Sequence, residues 1–292
     1  QNLDTRKEAM TIRHLLMMRS GLASNDFDVP FWRKSIPHND FTFRTNASNE
    51  YPGTWINYLY PENDWTKLLN SSDWIQTSLD KPMDAEPGTT FTYSDNVGHL
   101  LAGIFQEKTG MIPEEFADQY LFGPLNITEY VWFKDPSGLN FGAGGLWLQP
   151  HDMLKFGYLY LNNGIWNNTQ IIPEEWIEES TQDYNDFGYG YYWWINEGRS
   201  YYNADGLGGQ RIYVKADEEL VVAVTAWEGQ ISFTIDILFN TFILRAIIKD
   251  DTSTVVPTST ITSNTTTSSD VFSIGLGLVI LFSISQRKER KT

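Results

Sequence analysis

Apolar residues recur at helical spacing in several places along the chain, most clearly in residues 91–110, FTYSDNVGHLLAGIFQEKTG. Val97, Leu100, Leu101, Ile104 and Phe105 fall on one face of a helical period. Ser94 or Asp95 can accept orphan N–H bonds at its start, and Gly110 supplies the stop. Phe91 and Thr92 favour extended backbone. Tyr93 therefore stands where an extended segment turns into a helix, its hydroxyl near the positive helix end that would ease formation of a phenolate. Thr11 caps a shorter run carrying Ile12, Leu15 and Leu16, which Ser20 and Gly21 end. Pro113-Glu114-Glu115 opens a helix that Gly123-Pro124 breaks, and Asp135-Pro136-Ser137-Gly138 is a turn. Pro150 opens a helix with Met153, Leu154, Phe156, Leu159 and Tyr160 inward and Gly164 at its close. Pro173-Glu174-Glu175 opens another.

From Tyr189 the period changes. Residues 189–195, 211–214 and 220–226 are β-rich runs separated by glycines and acidic turns, which predicts successive antiparallel strands. Residues 231–248, with Phe233, Ile237, Leu238, Phe242, Leu244 and Ile247, predict a final helix on that sheet. Residues 23–70 are rich in aromatics, among them Phe27, Phe31, Trp32, Tyr51, Trp55 and Tyr58, with little periodicity, and read as a loop region.

The end of the chain changes character again. Residues 251–270 are rich in Ser and Thr, which predicts a flexible stalk. Val271 to Ser285 contains no charge and is followed by Arg287, Lys288, Arg290 and Lys291. A helix over those fifteen residues would be about 22 Å long, short for a bilayer, yet a basic stop after it fits a membrane anchor with the globule outside the cell. The expected organisation is thus a domain over 1–249, a linker over 250–270, a transmembrane or sorting helix over 271–285 and a basic cytoplasmic tail over 286–292. Five Asn-x-Ser/Thr sequons, at Asn46, Asn70, Asn126, Asn167 and Asn264, add mild support for an exterior location.

Composition narrows the function. With 11 Trp, 15 Tyr and 17 Phe in 292 residues the chain can build an aromatic-rich core, and a formal net charge of −16 argues against a nucleic-acid partner. There is no cysteine, hence no thiolate nucleophile, and the four His lack ligand spacing, so neither a metal nor another cofactor is expected. GAGG at residues 142–145 lacks the Lys-Ser/Thr ending of a phosphate loop.

Several stretches, in this order and spacing, resemble the serine β-lactamase-like family, which includes class C β-lactamases, D-alanyl-D-alanine peptidases and related esterases. They are TIRHLLMMRSGL (11–22), EPGTTFTYSD (86–95), YLFGPLNI (120–127), GAGGLWLQPHDMLKFGYLYLNNG (142–164), YGYYWWI (189–195) and GLGGQRIYV (206–214). The resemblance implies an α+β fold in which an antiparallel sheet flanked by helices stands beside a mostly helical lobe. It implies a serine hydrolase that cleaves an ester or amide through an acyl-enzyme. It places Tyr93 as general base in the second motif, Tyr-x-Asn, and the aromatic loop region around the substrate cleft; GAGG becomes a tight structural crossing. Asp95 stands where the family has Asn, and a carboxylate there accepts but does not donate a hydrogen bond. Gly206, Leu207, Gly208 and Gly209 fall at the third motif, where Lys or His is absent, leaving either bare backbone to meet the substrate or a purely structural glycine hairpin.

The family's nucleophile motif, Ser-x-x-Lys at the start of a helix, belongs before TIRHLL. Here only Ser78-Leu79-Asp80-Lys81 and Ser285-Gln286-Arg287-Lys288 match it. Pro82 follows the first and an apolar tail precedes the second, so both read as coincidences. The chain is expected to be the remainder of a longer hydrolase and inactive alone. The rival expectation is a non-catalytic surface binding domain on the same fold.

Overall fold

The computed structural model describes residues 4–26, 63–184, 187–206, 209–226, 235–248, 270–274 and 278–284. They form two compact units, Gln1–Gln149 with Asn162–Ile195, and Pro150–Leu161 with Asn196–Thr292.

The first unit is mostly helical. Helix α1 (Ile12–Leu16) starts where the sequence predicts, with the Thr11 hydroxyl accepting the His14 N–H at 3.2 Å. Two short helices, α2 (Asp64–Leu69) and α3 (Trp74–Leu79), precede the central helix α4 (Asp95–Thr109), which ends on a left-handed Gly110 at φ 73°. Then come α5 (Pro113–Ala117), continued by a wider π turn to Phe122, the strand pair β1 (Tyr130–Trp132) and β2 (Leu146–Leu148), a small hairpin of β3 (Ile165–Trp166) with β4 (Thr169–Gln170), and a helix, Glu174–Ser180. The buried stripe of α4 presents Val97 and Leu100 to Leu15, Met18, Leu22, Met83 and Tyr189. Val97 is wholly buried, worth about 1.5–3 kcal/mol.

On its other side α4 meets the GAGG segment. Gly98 lies so close to Ala143 that an added Cβ would come within 2.9 Å of the Ala143 Cα, and a Cβ on Gly142 would run into the Gly98 carbonyl oxygen. Glycine is required on both sides of this crossing, as the resemblance implied.

The second unit is a sheet with helices. Pro150–Leu161 forms a helix, and antiparallel strands follow: β6 (Tyr201–Gly206), β7 (Gln210–Lys215) and β8 (Leu220–Thr225), with the short β5 (Trp194–Asn196), where the chain passes into this unit, at the edge. Leu220 to Val224 are all buried, the pattern of a strand covered on both faces. Gly157 explains how helix 150–161 packs so tightly: a Cβ there would stand 2.8 Å from Ile212 Cγ2. A mid-helix glycine costs about 1 kcal/mol against alanine, offset here by closer packing. Residues 235–248 are helical, and their Phe239 stacks on Tyr213 with ring centroids 3.9 Å apart.

One expectation fails at the end of the chain. Instead of a transmembrane or sorting helix over 271–285, Asp270–Ile274 and Leu278–Ile284 are strands, β9 and β10, and β10 pairs antiparallel with both β9 and β8. No described helix is long and apolar enough to cross a membrane. The physical reasons lie in the segment and in its neighbour. Val271, Phe272, Ile274, Val279, Ile280, Phe282 and Ile284 are strand formers, with Gly275 and Gly277 between them. Without β10, one side of the buried β8 would leave its backbone polar groups unpaired. The aromatic residues Phe27 to Tyr58 and the stalk over 251–269 lie outside the described residues.

Candidate active site

The turn that carries Tyr93 is tied down from two directions. Residues 91–94 precede the helix without regular structure, and the Thr92 N–H donates to the Met18 carbonyl at 2.8 Å. Ser94 occupies the N-cap position with extended dihedrals, but its side chain makes no capping bond. The cap comes from elsewhere: Asp26 Oδ2 accepts the Asp95 N–H at 2.9 Å and the Ser24 hydroxyl at 3.1 Å. Asn25 in turn exchanges bonds with Asp64, its N–H donating to Asp64 Oδ2 at 3.0 Å and its Oδ1 accepting the Asp64 N–H at 2.8 Å. Lys81 forms an ion pair with the same Asp64.

Tyr93 stands in an aromatic wall. Its ring stacks on Trp194 at 6.2 Å and meets Tyr189 edge-on at 6.4 Å, while Phe91 stacks on Phe187 at 5.3 Å. Burial pushes the Tyr93 hydroxyl well above its ordinary range, and the charges of Asp95 and Asp26 push the same way. The positive helix end expected to favour a phenolate is thus opposed at Tyr93 by burial and by the Asp95 and Asp26 charges. With these neighbours Tyr93 keeps its proton. It becomes a base only with a cation beside it.

Burial raises Asp95 well above the usual carboxylate range, and the Asp26 charge adds to it. Burial raises Asp26 too, against the lowering effect of its two hydrogen bonds. A group whose folded pKa is raised binds its proton better folded than unfolded, so stability is lost as pH climbs above 3.8 through the folded value. Asp95→Asn is therefore expected to raise the melting temperature at pH 7–8, with the gain fading as pH is lowered toward 4. An Asn variant that melts at or below wild type at pH 8 contradicts this.

Ser78 and Lys81 are not arranged as a nucleophile and its base. Ser78 sits in the last turn of α3, wholly buried, its hydroxyl on the Trp74 carbonyl at 2.8 Å and on Asn96 Oδ1 at 3.1 Å. Lys81 follows the helix end and turns to Asp64.

Tyr93 and Asp95 share one turn in the first unit, whereas Gly206 and Gly209 lie in the second. Gly206 closes β6 opposite Gln210, and Gly209, at φ 91°, gives its N–H to the Gly206 carbonyl at 3.3 Å. That N–H is thus engaged inside the hairpin. Leu207 and Gly208 lie outside the described residues. The sequence reading missed Arg211, a buried residue that donates to the Gly206 and Gln210 carbonyls at 3.1 and 3.0 Å and pairs with Asp205. An arginine directly before the β-forming run Ile212-Tyr213-Val214 was the available signal.

His99 is one of the four dispersed histidines. It is fully buried on α4, with Nε2 3.1 Å from Asp135 Oδ2 and Nδ1 3.5 Å from the Gly142 N–H. Since Nδ1 faces a donor, the proton is on Nε2 and points at Asp135. Burial lowers its pKa, outweighing the carboxylate. Among the described residues no group of three or more His, Asp or Glu could hold a metal ion.

The comparisons agree with this architecture. The family model described as Beta-lactamase matches residues 1–229. A 6-aminohexanoate-dimer hydrolase of Paenarthrobacter ureafaciens is 24% identical over 155 residues, which cover 47% of this chain and 39% of that protein. Among solved structures, a Bacillus anthracis protein described as a 6-aminohexanoate-dimer hydrolase superposes with a TM-score of 0.61 at 19% identity, over 83% of this chain and 62% of its own. A penicillin binding protein from Bacillus halodurans does so with a TM-score of 0.53 at 18% identity, over 81% and 76%. The chain thus spans about two fifths of the curated relative's length. The fold is the α+β fold of β-lactamases and penicillin-binding proteins, and the chain belongs to the Beta-lactamase family.

Proposed function

We propose that this chain is part of a serine hydrolase that opens an ester or amide through an acyl-enzyme. In this reading Tyr93 shuttles the proton and the nucleophilic serine and its lysine lie outside these 292 residues. One observation carries the reading: in a chain of this family, Tyr93 is fixed in a braced turn at the head of the central helix, against a wall of aromatic rings. The missing lysine would supply the cation that Tyr93 needs in order to give up its proton. Hydrolysis also agrees with the name of the 6-aminohexanoate-dimer hydrolases that the chain resembles.

The direct test is chemical. The 292-residue chain is incubated with an activated ester and, separately, a β-lactam, and its intact mass is followed. No stoichiometric increase is expected. A specific adduct on Ser78 overturns the placement of the nucleophile.

A further inference from the structure

We propose that Asp26 is a positioning residue: from its place 69 positions earlier in the chain it caps the central helix and so holds Tyr93 and Asp95 in the geometry the reaction needs. The inference deepens the hydrolase reading and rests on it.

The geometry is that of a cap made at a distance. An α-helix leaves its first N–H groups without partners inside the helix, and a side-chain oxygen just before the helix usually answers them. Ser94 occupies that place, and its buried hydroxyl makes no hydrogen bond. The Asp95 N–H is answered instead by Asp26 Oδ2 at 2.9 Å. Because Asp95 directly follows Ser94 and Tyr93, this bond ends on the turn that carries both proposed site residues.

A cap borrowed from another segment works only if that segment is itself fixed, and here it is. Ser24 and Asp26 close a small turn on each other, the hydroxyl donating to Oδ2 at 3.1 Å and accepting the Asp26 N–H at 3.3 Å. Asn25, between them, exchanges two backbone-to-side-chain bonds with Asp64, and the Asn63 amide donates to the Asn25 carbonyl at 3.3 Å. Lys81 holds the Asp64 carboxylate from the other side. The chain of contacts therefore runs from α2 through Asn25 to Asp26, and from Asp26 to the Tyr93 turn.

The bonds also say what the carboxylate is for. Both contacts to Oδ2 come from donors, so Asp26 acts as an acceptor, a task that the side-chain carbonyl of asparagine performs equally well. The role is thus separable from the charge.

The experiment combines a readout of the cap with one of the reaction. Amide exchange at Asp95 is measured by NMR in this chain for wild type, Asp26→Ala and Asp26→Asn. Ester hydrolysis is measured in the protein made from the complete coding sequence for the same three. Asp26→Ala is expected to speed Asp95 exchange at least 10-fold and to lower kcat 10-fold to 100-fold with KM within threefold; Asp26→Asn restores both to within threefold of wild type. If Asp26→Ala does not fold, Asn25→Ala, which loosens the same segment and leaves the carboxylate in place, is expected to speed Asp95 exchange several-fold. Unchanged exchange in the variant that folds overturns the cap. Faster exchange with unchanged kcat overturns the positioning role, and failure of Asp26→Asn to restore kcat shows that the charge acts directly and overturns it too. A complete wild-type protein that hydrolyses no ester or amide sinks the hydrolase reading and the positioning role with it, and it is recognised before any variant is compared.

Discussion

Replacing Tyr93 by phenylalanine in the protein made from the complete coding sequence is expected to reduce ester turnover about 100-fold to 10,000-fold, the range that loss of a general acid–base group produces. The ring stays, and with it the stack on Trp194 and the edge contact with Tyr189. Folding should therefore suffer only by one net hydrogen bond, on the order of 1 kcal/mol. The separation between the two effects is what makes the result informative. Burial and the Asp95 and Asp26 charges hold the Tyr93 hydroxyl in the protonated form. Paired measurement of thermal unfolding and ester hydrolysis checks the account. Turnover within a few-fold of wild type, with a sharply lowered melting temperature, would show Tyr93 to be a packing residue.

The opposite profile is expected of His99→Leu. Leucine approximates the imidazole in size, so the change removes two hydrogen bonds more than it opens a cavity. It strands the Asp135 carboxylate, which retains the Ser137 and Leu139 N–H groups and the Ser137 hydroxyl on Oδ1 but loses its donor on Oδ2. It also leaves the Gly142 N–H without its imidazole acceptor. A buried charged acceptor and a buried amide left in this way cost about 3 kcal/mol together, and the loss falls where Gly142 crosses Gly98. Denaturant unfolding measures it, and a loss below 1 kcal/mol contradicts the bracing role. The pH dependence has a definite sign. His99 has a folded pKa below 6.5, so as pH falls below 6.5 the unfolded chain takes up a proton that the buried ring refuses, and folding loses stability. Leucine has no such proton, so the difference between wild type and variant should narrow on acidification.

Elements whose signals are local could be read from the sequence. The central helix carries its apolar period, its stop at Gly110 and an extended approach within twenty residues, and the helices opened by Pro113, Pro150 and Pro173 announce themselves by proline and acids at the correct end. Helices α2 and α3 have six residues each, too few turns for a period to show. Strand β6 was missed because Asn203 and Asp205 interrupt its β-forming run. The end of the chain was misread because a charge-free segment before basic residues looks the same whether it crosses a bilayer or completes a sheet. Only the need of β8 for a second neighbour decides between them, and that need is a property of the fold. The site divides the same way. The order and spacing of motifs single out Tyr93 and Asp95 as candidates, while Asp26 caps a helix 69 residues away and Asp135 bonds a histidine 36 residues away, pairings with no local trace.

The central claim is that an acyl-enzyme forms on a serine that these 292 residues do not contain. Its most direct test is to label the protein made from the complete coding sequence with an activated ester, digest it and identify the modified peptide by mass spectrometry. The account predicts one adduct per molecule, on a serine that precedes the TIRHLL segment and is followed three residues later by lysine. An adduct on Ser78, or a fully folded complete protein that takes up no label, contradicts it.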